Sequence, residues 1–235
     1  MSGMWTLLSH QSLMWIAATV AAFWIGDLMA RASGRHPLAN PVLIAVLILV
    51  ALLLGTGTDY GTYFEGAQFI HFLLGPATVA LALPIRDNLH HVRRALLPLM
   101  AALLAGSATA AVTAVGIGRA FGLDAQTLAS VAPKSATAPV AIGIAETLGG
   151  IPTMTAGMVL ITGMTGAIVV TPLMNAMRIR DWRARGFAVG VAAHGIGTAR
   201  ALQVNPVAGA FAGLGMGLNA ILTAFIAPWA LGLFR

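Results

Sequence analysis

Cysteine is missing altogether from the 235 residues, and charge is nearly missing: Asp, Glu, Lys and Arg make up only 9% of the chain. Without thiols there is no disulfide framework and no thiolate metal site. The seven acidic residues are scattered, so no acidic pair or metal cluster lies at membrane depth. Enzyme chemistry is therefore not expected, nor is any cofactor or metal. A soluble domain carries about 25% charged residues; here 58% of residues are apolar instead. That is the composition of an integral membrane protein. The formal net charge of +6 would point to nucleic acid in a soluble chain. Here the basic residues fall in short loops, so they read as determinants of orientation. The N-terminus has no Lys or Arg before Arg31, so the basic region of a cleavable signal peptide is lacking and the first apolar segment is expected to span.

A bilayer span needs about 20 mostly apolar residues. The expected fold is all-α and polytopic, with six spans: Ser12–Ala30, Pro41–Thr56, Phe69–Pro84, Ala95–Gly118, Ile151–Met177 and Pro206–Phe234. Asp27 and Arg31 form an i,i+4 pair at the end of the first. Three loops are basic: Arg31 and Arg35; Arg86, Arg93 and Arg94; Arg178, Arg180, Arg183 and Arg185. By the positive-inside rule these are cytoplasmic, which puts the N-terminus and the acidic Asp59–Glu65 loop outside.

That orientation leaves two segments unable to cross. Asp124–Gly150 starts outside and must end outside, so it is expected to enter and return as a re-entrant hairpin, with Pro133 and Pro139 bracketing its tip. Phe187–Asn205 behaves likewise from the cytoplasmic side, broken at Gly195 and Gly197. The chain then reads as one transmembrane domain over 1–235, with an N-terminal helix in 1–40 and two inverted hairpin-plus-helix units at 124–177 and 187–234. Inverted units with broken helices are a recurrent transporter architecture.

The hairpins hold the two anomalous cations. Lys134, the only lysine, sits in Ala132-Pro-Lys-Ser-Ala-Thr-Ala-Pro139, and Arg200 ends His194-Gly-Ile-Gly-Thr-Ala-Arg200. A cation at a helix centre in hydrocarbon costs about 2.5–3.5 kcal/mol on insertion scales. A helix break exposes the N–H groups and positive dipole end of the half-helix that follows. Those half-helices are expected to start near Thr137, with Pro139 just inside, and near Thr198. Amide donors, hydroxyls and a cation together bind carboxylate or phosphate. The candidate substrate contacts are Lys134, Ser135, Thr137, His194, Thr198 and Arg200. Thr78 joins them in a weaker echo, Gly75-Pro-Ala-Thr-Val-Ala80. Arg200 can grip a carboxylate bidentately, Lys134 acts as a point charge, and His194 can bond a hydroxyl or carry a proton. Structural roles compete: Lys134 snorkelling or pairing with Glu146, Arg200 lying near the surface beside Gln203 and Asn205, His194 packing or capping, and His71 joining helices. Gly209, Gly213 and Gly217 form small-xxx-small repeats that allow close helix packing. Gly116-Ile-Gly-Arg-Ala-Phe-Gly122 has no preceding strand and is not a dinucleotide loop.

The strings Leu74-Gly-Pro-Ala-Thr-Val-Ala-Leu-Ala82, Ala132–Pro139, Gly149-Gly-Ile-Pro152 and Ala193–Arg200 resemble the signatures of the LrgB/CidB family, in order and spacing, from about Pro41 onward. The resemblance implies a multi-pass protein of the bacterial inner membrane. It carries two functional descriptions. One is an antiholin-like protein that modulates murein hydrolases and lysis. The other is a carrier of small carboxylates, as in the plastid glycolate/glycerate transporter and pyruvate-linked bacterial relatives. It also implies a separate small LrgA/CidA-type membrane partner; homo-oligomers stay open, and nucleic acid is not an expected partner.

Overall fold

The structure is a computed structural model that describes residues 10–36, 38–73, 76, 86 and 89–234. The described residues are helical, without strands. Two compact units divide the chain, 1–80 and 81–235. Among the described residues four helices are long and apolar enough to cross a membrane, and they match four of the six expected spans.

In the first unit, α1 (His10–Ala32), α2 (Pro41–Thr56) and α3 (Tyr60–Phe72) follow one another. Asn40 caps α2, accepting from the Val42 and Leu43 amides at 2.9 and 3.2 Å, and Pro41 occupies the first helical position. Arg31 donates to Asp27 at 2.7 Å as the i,i+4 spacing predicts. The Asp59–Glu65 segment is not a loop. Asp59 accepts from the Gly61 amide at 2.7 Å and starts α3 there, as a helix-capping Asp does. The expected Phe69–Pro84 span lies mostly outside the described residues.

The second unit contains α4 (Leu89–Arg94), α5 (Leu96–Ala120), α6 (Ala125–Val131), α7 (Ala138–Thr147), α8 (Pro152–Ala176), α9 (Trp182–Val204) and α10 (Pro206–Gly232). α5 stops in a Schellman turn. Gly122 sits at φ 77°, and the Leu123 amide donates to the Gly118 carbonyl. Asp124 then caps α6 through the Thr127 amide at 2.7 Å, which holds its carboxyl below the ordinary carboxylate range.

α6 and α7 form the first hairpin. The chain has turned back by Gly150, where an added Cβ would meet the Ser130 amide at 2.8 Å. Ser130 Oγ accepts from the Ile151 amide at 2.7 Å. α9 is the second hairpin, although its helical turns run nearly unbroken along the chain. Ala193 and His194 leave helical geometry. A Cβ on Gly197 would meet the Val189 carbonyl oxygen at 3.0 Å, a contact possible only if the two limbs lie side by side. The first limb, from Trp182 to Ala192, is about 16 Å long and reaches about the middle of a hydrocarbon layer of about 30 Å.

The hairpins enter from opposite ends. The first packs with the last turns of α5 and α10, where Leu128, Ala129 and Ala132 meet Val115, Ala227 and Leu231. The second packs with their first turns, where Phe187 and Val191 meet Leu99, Leu103 and Phe211. Glycine sets how closely α9 lies on α10. A Cβ on Gly186 or Gly190 would run into the carbonyl oxygens of Ala208 and Ala212, so backbone rests on backbone. The Gly217 position, by contrast, has nothing within 4 Å. Gly190→Ala is therefore expected to push α9 off α10 and destabilise the fold by about 1–3 kcal/mol. Gly217→Ala should be neutral, or stabilising by up to about 1 kcal/mol. Thermal unfolding in detergent measures both, and the opposite ranking would contradict this packing.

Candidate functional site

The tip of the first hairpin is the six-residue break between α6 and α7. Two short turns build it, with the Lys134 amide donating to the Val131 carbonyl and the Ala136 amide to the Pro133 carbonyl. Thr137 holds the N-cap position of α7 in extended geometry with Pro139 in the first turn, as the sequence predicts. Its hydroxyl makes no capping bond. The first-turn amides of such a half-helix have no partner within the helix. Lys134 is half-buried here, and its ammonium donates to the Ser135 hydroxyl at 3.4 Å. The ion pairs among the described residues are Asp27–Arg31 and Asp181–Arg183, so the Glu146 bridge does not form.

The second tip lies ahead of the expected one. The break falls at Ala193 and His194 rather than at the glycines, so the returning half-helix starts at about Gly195 and Thr198 lies in its first turn. His194 has φ 41° and ψ −134°, a region that L residues rarely occupy. Its ring explains why a histidine is held there. Nε2 lies 2.9 Å from the Val159 carbonyl oxygen; a carbonyl only accepts, so Nε2 carries the hydrogen. Gly163 provides the seat, since a Cβ there would meet the ring at 2.6 Å. Thr198 is 1% exposed and donates back to the His194 carbonyl at 2.8 Å. That i−4 bond lets the half-helix begin so abruptly after the break.

Both tips converge on α8 and α10. Val159 packs on Ala136 and Ala141 of the first hairpin while its carbonyl holds the second. The joint between them is Asn219, midway along α10 and 1% exposed. Its amide nitrogen donates to the Ser135 carbonyl and to the Val191 carbonyl, each at 3.0 Å. Its oxygen accepts from Ser107 of α5 at 2.5 Å, and Thr223 Oγ1 lies 3.4 Å away. Two backbone carbonyls freed by two helix breaks are thus satisfied by one side chain.

Arg200 does not join this centre. Six residues past His194, about 9 Å along the half-helix, it lines a small cavity with Thr171, Met174, Trp182 and Arg185 near the Arg178 end of α8. The Nε of Arg200 is buried there. Thr78 lies outside the described residues, and so do the side-chain surroundings of His71.

The chain matches the LrgB-like family over residues 19–233. The chain belongs to that family. It is 36% identical to YxaC of Bacillus subtilis over 222 residues, which cover 94% of this chain and 95% of YxaC. It is 30% identical to the holin-like protein CidB of Staphylococcus epidermidis and 31% to that of Staphylococcus aureus, in each case over 95% of this chain and 97% of the relative. No solved structure matches it. The LrgB-like region takes in both hairpins and the whole of the Asn219 network.

Asn219 and Ser107 are absent from the residues that the sequence pointed to, because neither is charged and neither lies in a helix break. The available signal was a lone amide at the middle of a 27-residue apolar helix, the kind of polar group that membrane interiors tolerate only with partners. Asn219→Leu, which leaves both carbonyls unsatisfied, should destabilise this LrgB-like fold by about 1–3 kcal/mol for each carbonyl. Ser107→Ala, which removes only a donor to the Asn219 oxygen, should cost less. A melting series in one detergent tests the order, and equal losses would show that the two carbonyls are not what Asn219 secures.

Proposed function

We propose that this LrgB-like chain carries small monocarboxylates of the 2-hydroxy or 2-oxo type, such as glycolate, glycerate or pyruvate, across a bacterial inner membrane. One observation carries the reading. Lys134 lies at a helix break inside an apolar bundle, beside the Ser135 hydroxyl and the start of α7, with no carboxylate bridging to it among the described residues. An anion supplied from solution is the partner that offsets the desolvation of that ammonium. Lys134 holds the carboxylate, and the Thr137 hydroxyl and first-turn amides of α7 take its oxygens and the adjacent hydroxyl or keto group. His194, at the second tip, is the further candidate contact for the same anion, while Thr198 shapes that tip. Arg200 lines a separate small cavity rather than the centre. The two hairpin-plus-helix units act as inverted halves about this site. The loops from Arg178 to Arg185 face the cytoplasm and the N-terminus faces outside.

The competing reading is regulatory. The relatives named holin-like protein CidB favour a membrane subunit acting on lysis through a small LrgA/CidA-type partner. A hole-forming or regulatory role gives Lys134 no task, and that asymmetry favours the carrier. Uptake of radiolabelled glycolate and pyruvate into proteoliposomes, with and without such a partner, separates the two.

Lys134→Ala should sharply reduce uptake at sub-saturating substrate while the protein still inserts and folds. Loss of one charge-assisted contact of about 1.5–3 kcal/mol lowers affinity by roughly ten- to hundredfold. Full uptake by this variant would end the carrier reading at this site. Arg200→Lys keeps the charge but loses the bidentate fork. Because Arg200 lies away from the tips, half-saturation should shift less than threefold, by roughly 0.6 kcal/mol or below. A shift as large as that of Lys134→Ala would return Arg200 to the binding centre.

A further inference from the structure

Between α5 and the first limb of α9 lies a cavity of about 500 Å³, within the range of about 300–1,000 Å³ usual for small-molecule clefts. Its walls are facing rows of small residues four apart, Pro98, Ala102 and Gly106 on α5 and Ala184, Ala188 and Ala192 on α9. Its mouth carries Asp181 and Arg183, joined at 2.6 Å and both nearly half exposed. Its inner end stops at Gly106, Val191 and Ala192. These residues adjoin the centre: Val191 gives its carbonyl to Asn219, Ser107 follows Gly106, and Ala192 precedes the broken Ala193–His194 pair. The other end of the bundle is densely packed on the α5 and α10 side of the first hairpin. Around the first hairpin Val115, Ala227 and Ala230 have no exposed surface, and Leu128, Ala132 and Leu231 fill the space between them.

We propose that this cavity is the water-filled route by which a carboxylate reaches Lys134 from the Arg183 end, and that the chain described here is open at that end and closed at the Arg119 end. The proposal rests on the carboxylate-carrier reading and adds a path and a state to it. Arg183 suits the mouth because it already holds a carboxylate. Its guanidinium donates from Nε and Nη2 to both oxygens of Asp181 at 2.6–3.1 Å. Those bonds keep the Asp181 carboxyl below the ordinary carboxylate range, so the pair is charged at neutral pH. An incoming carboxylate can replace Asp181 on the same fork without leaving a bare charge. Beyond the mouth the lining is apolar, with Leu99, Phe187, Val191 and Phe211 beside the small residues, and offers a carboxylate no charged group. The first cation met after that passage is the one at the first hairpin tip.

The absence of cysteine lets single cysteines report on the wild-type protein directly. Ala188→Cys and Ala192→Cys, with Ala230→Cys as a buried control and Arg180→Cys as a marker of sidedness, are treated in proteoliposomes with a charged, membrane-impermeant methanethiosulfonate. The expected result is modification at 188 and 192 from the Arg180 side only, with no reaction at 230. Glycolate at ten times its half-saturating concentration should slow the reaction at 192 by about tenfold. Reaction with a lipid-soluble maleimide but not with the charged reagent overturns the proposal and assigns the groove to a lipid chain or a partner helix. Charged-reagent labelling without glycolate protection, in a protein whose uptake still depends on Lys134, overturns the route and leaves the carrier reading standing. Labelling in a protein that takes up no carboxylate removes both together.

Discussion

The bonds from Asn219 to two main-chain carbonyls are the constraint on which the second unit depends. Two hairpins that enter from opposite ends must each end in non-helical backbone at the depth where water is scarcest. A peptide group freed there needs a partner from the protein, a ligand or ordered water, because hydrocarbon supplies none. Val191 would have given its carbonyl to residue 195 in an unbroken helix; the kink at 193 and 194 removes that donor. Asn219 replaces it and, with its second hydrogen, takes the Ser135 carbonyl of the other tip. Ser107 and Thr223 then orient the amide from the acceptor side. The position of each tip is therefore tied to the other through one residue of α10.

Close approach makes that tie possible. The carbonyl of Val191 lies within reach of a side chain as short as asparagine only because Gly186 and Gly190 let the first limb of α9 rest directly on α10. Gly163 does the same for the His194 ring against α8. In water, such backbone-to-backbone contacts would compete with hydrophobic burial by larger side chains. In lipid, which is as apolar as leucine, close packing and interhelical hydrogen bonds are what remain to hold helices together. The glycine pattern and the buried amide are thus two parts of one solution.

Much of this was legible in the sequence. The helix starts at Pro41 and Pro206 match the expected span boundaries, that at Pro152 falls one residue after the expected Ile151, and both hairpins follow from counting which side of the membrane each basic loop must occupy. Thr137 with Pro139 marked the start of α7 correctly. The second break was misplaced because glycine draws attention to itself, whereas the chain bends at an alanine and a histidine whose conformation is held by tertiary contacts. Arg200 was placed at a tip because sequence proximity to the glycines stood in for spatial proximity. A half-helix carries a residue about 1.5 Å further from its start with each step, and six steps suffice to move it from the centre to the edge. Asn219 escaped notice because a single uncharged amide has no motif; its role exists only once four elements meet around it.

The two tips are not equivalent. At the first, the cost is electrostatic, a half-buried ammonium with no carboxylate bridge among the described residues. At the second it is conformational, since a non-glycine residue at positive φ with ψ near −134° carries about 1–3 kcal/mol of strain. A net hydrogen bond contributes only about 0.5–1.5 kcal/mol, so the ring bond to Val159 alone does not hold His194 there. It takes the Val159 bond, the Thr198 bond to the His194 carbonyl and the Asn219 bond to Val191 together to outweigh the strain. Two of these three partners belong to helices outside the hairpin, α8 and α10. The shape of the second tip is therefore set by its surroundings as much as by its own sequence, whereas the first tip, built on proline and local turns, is written into its own eight residues.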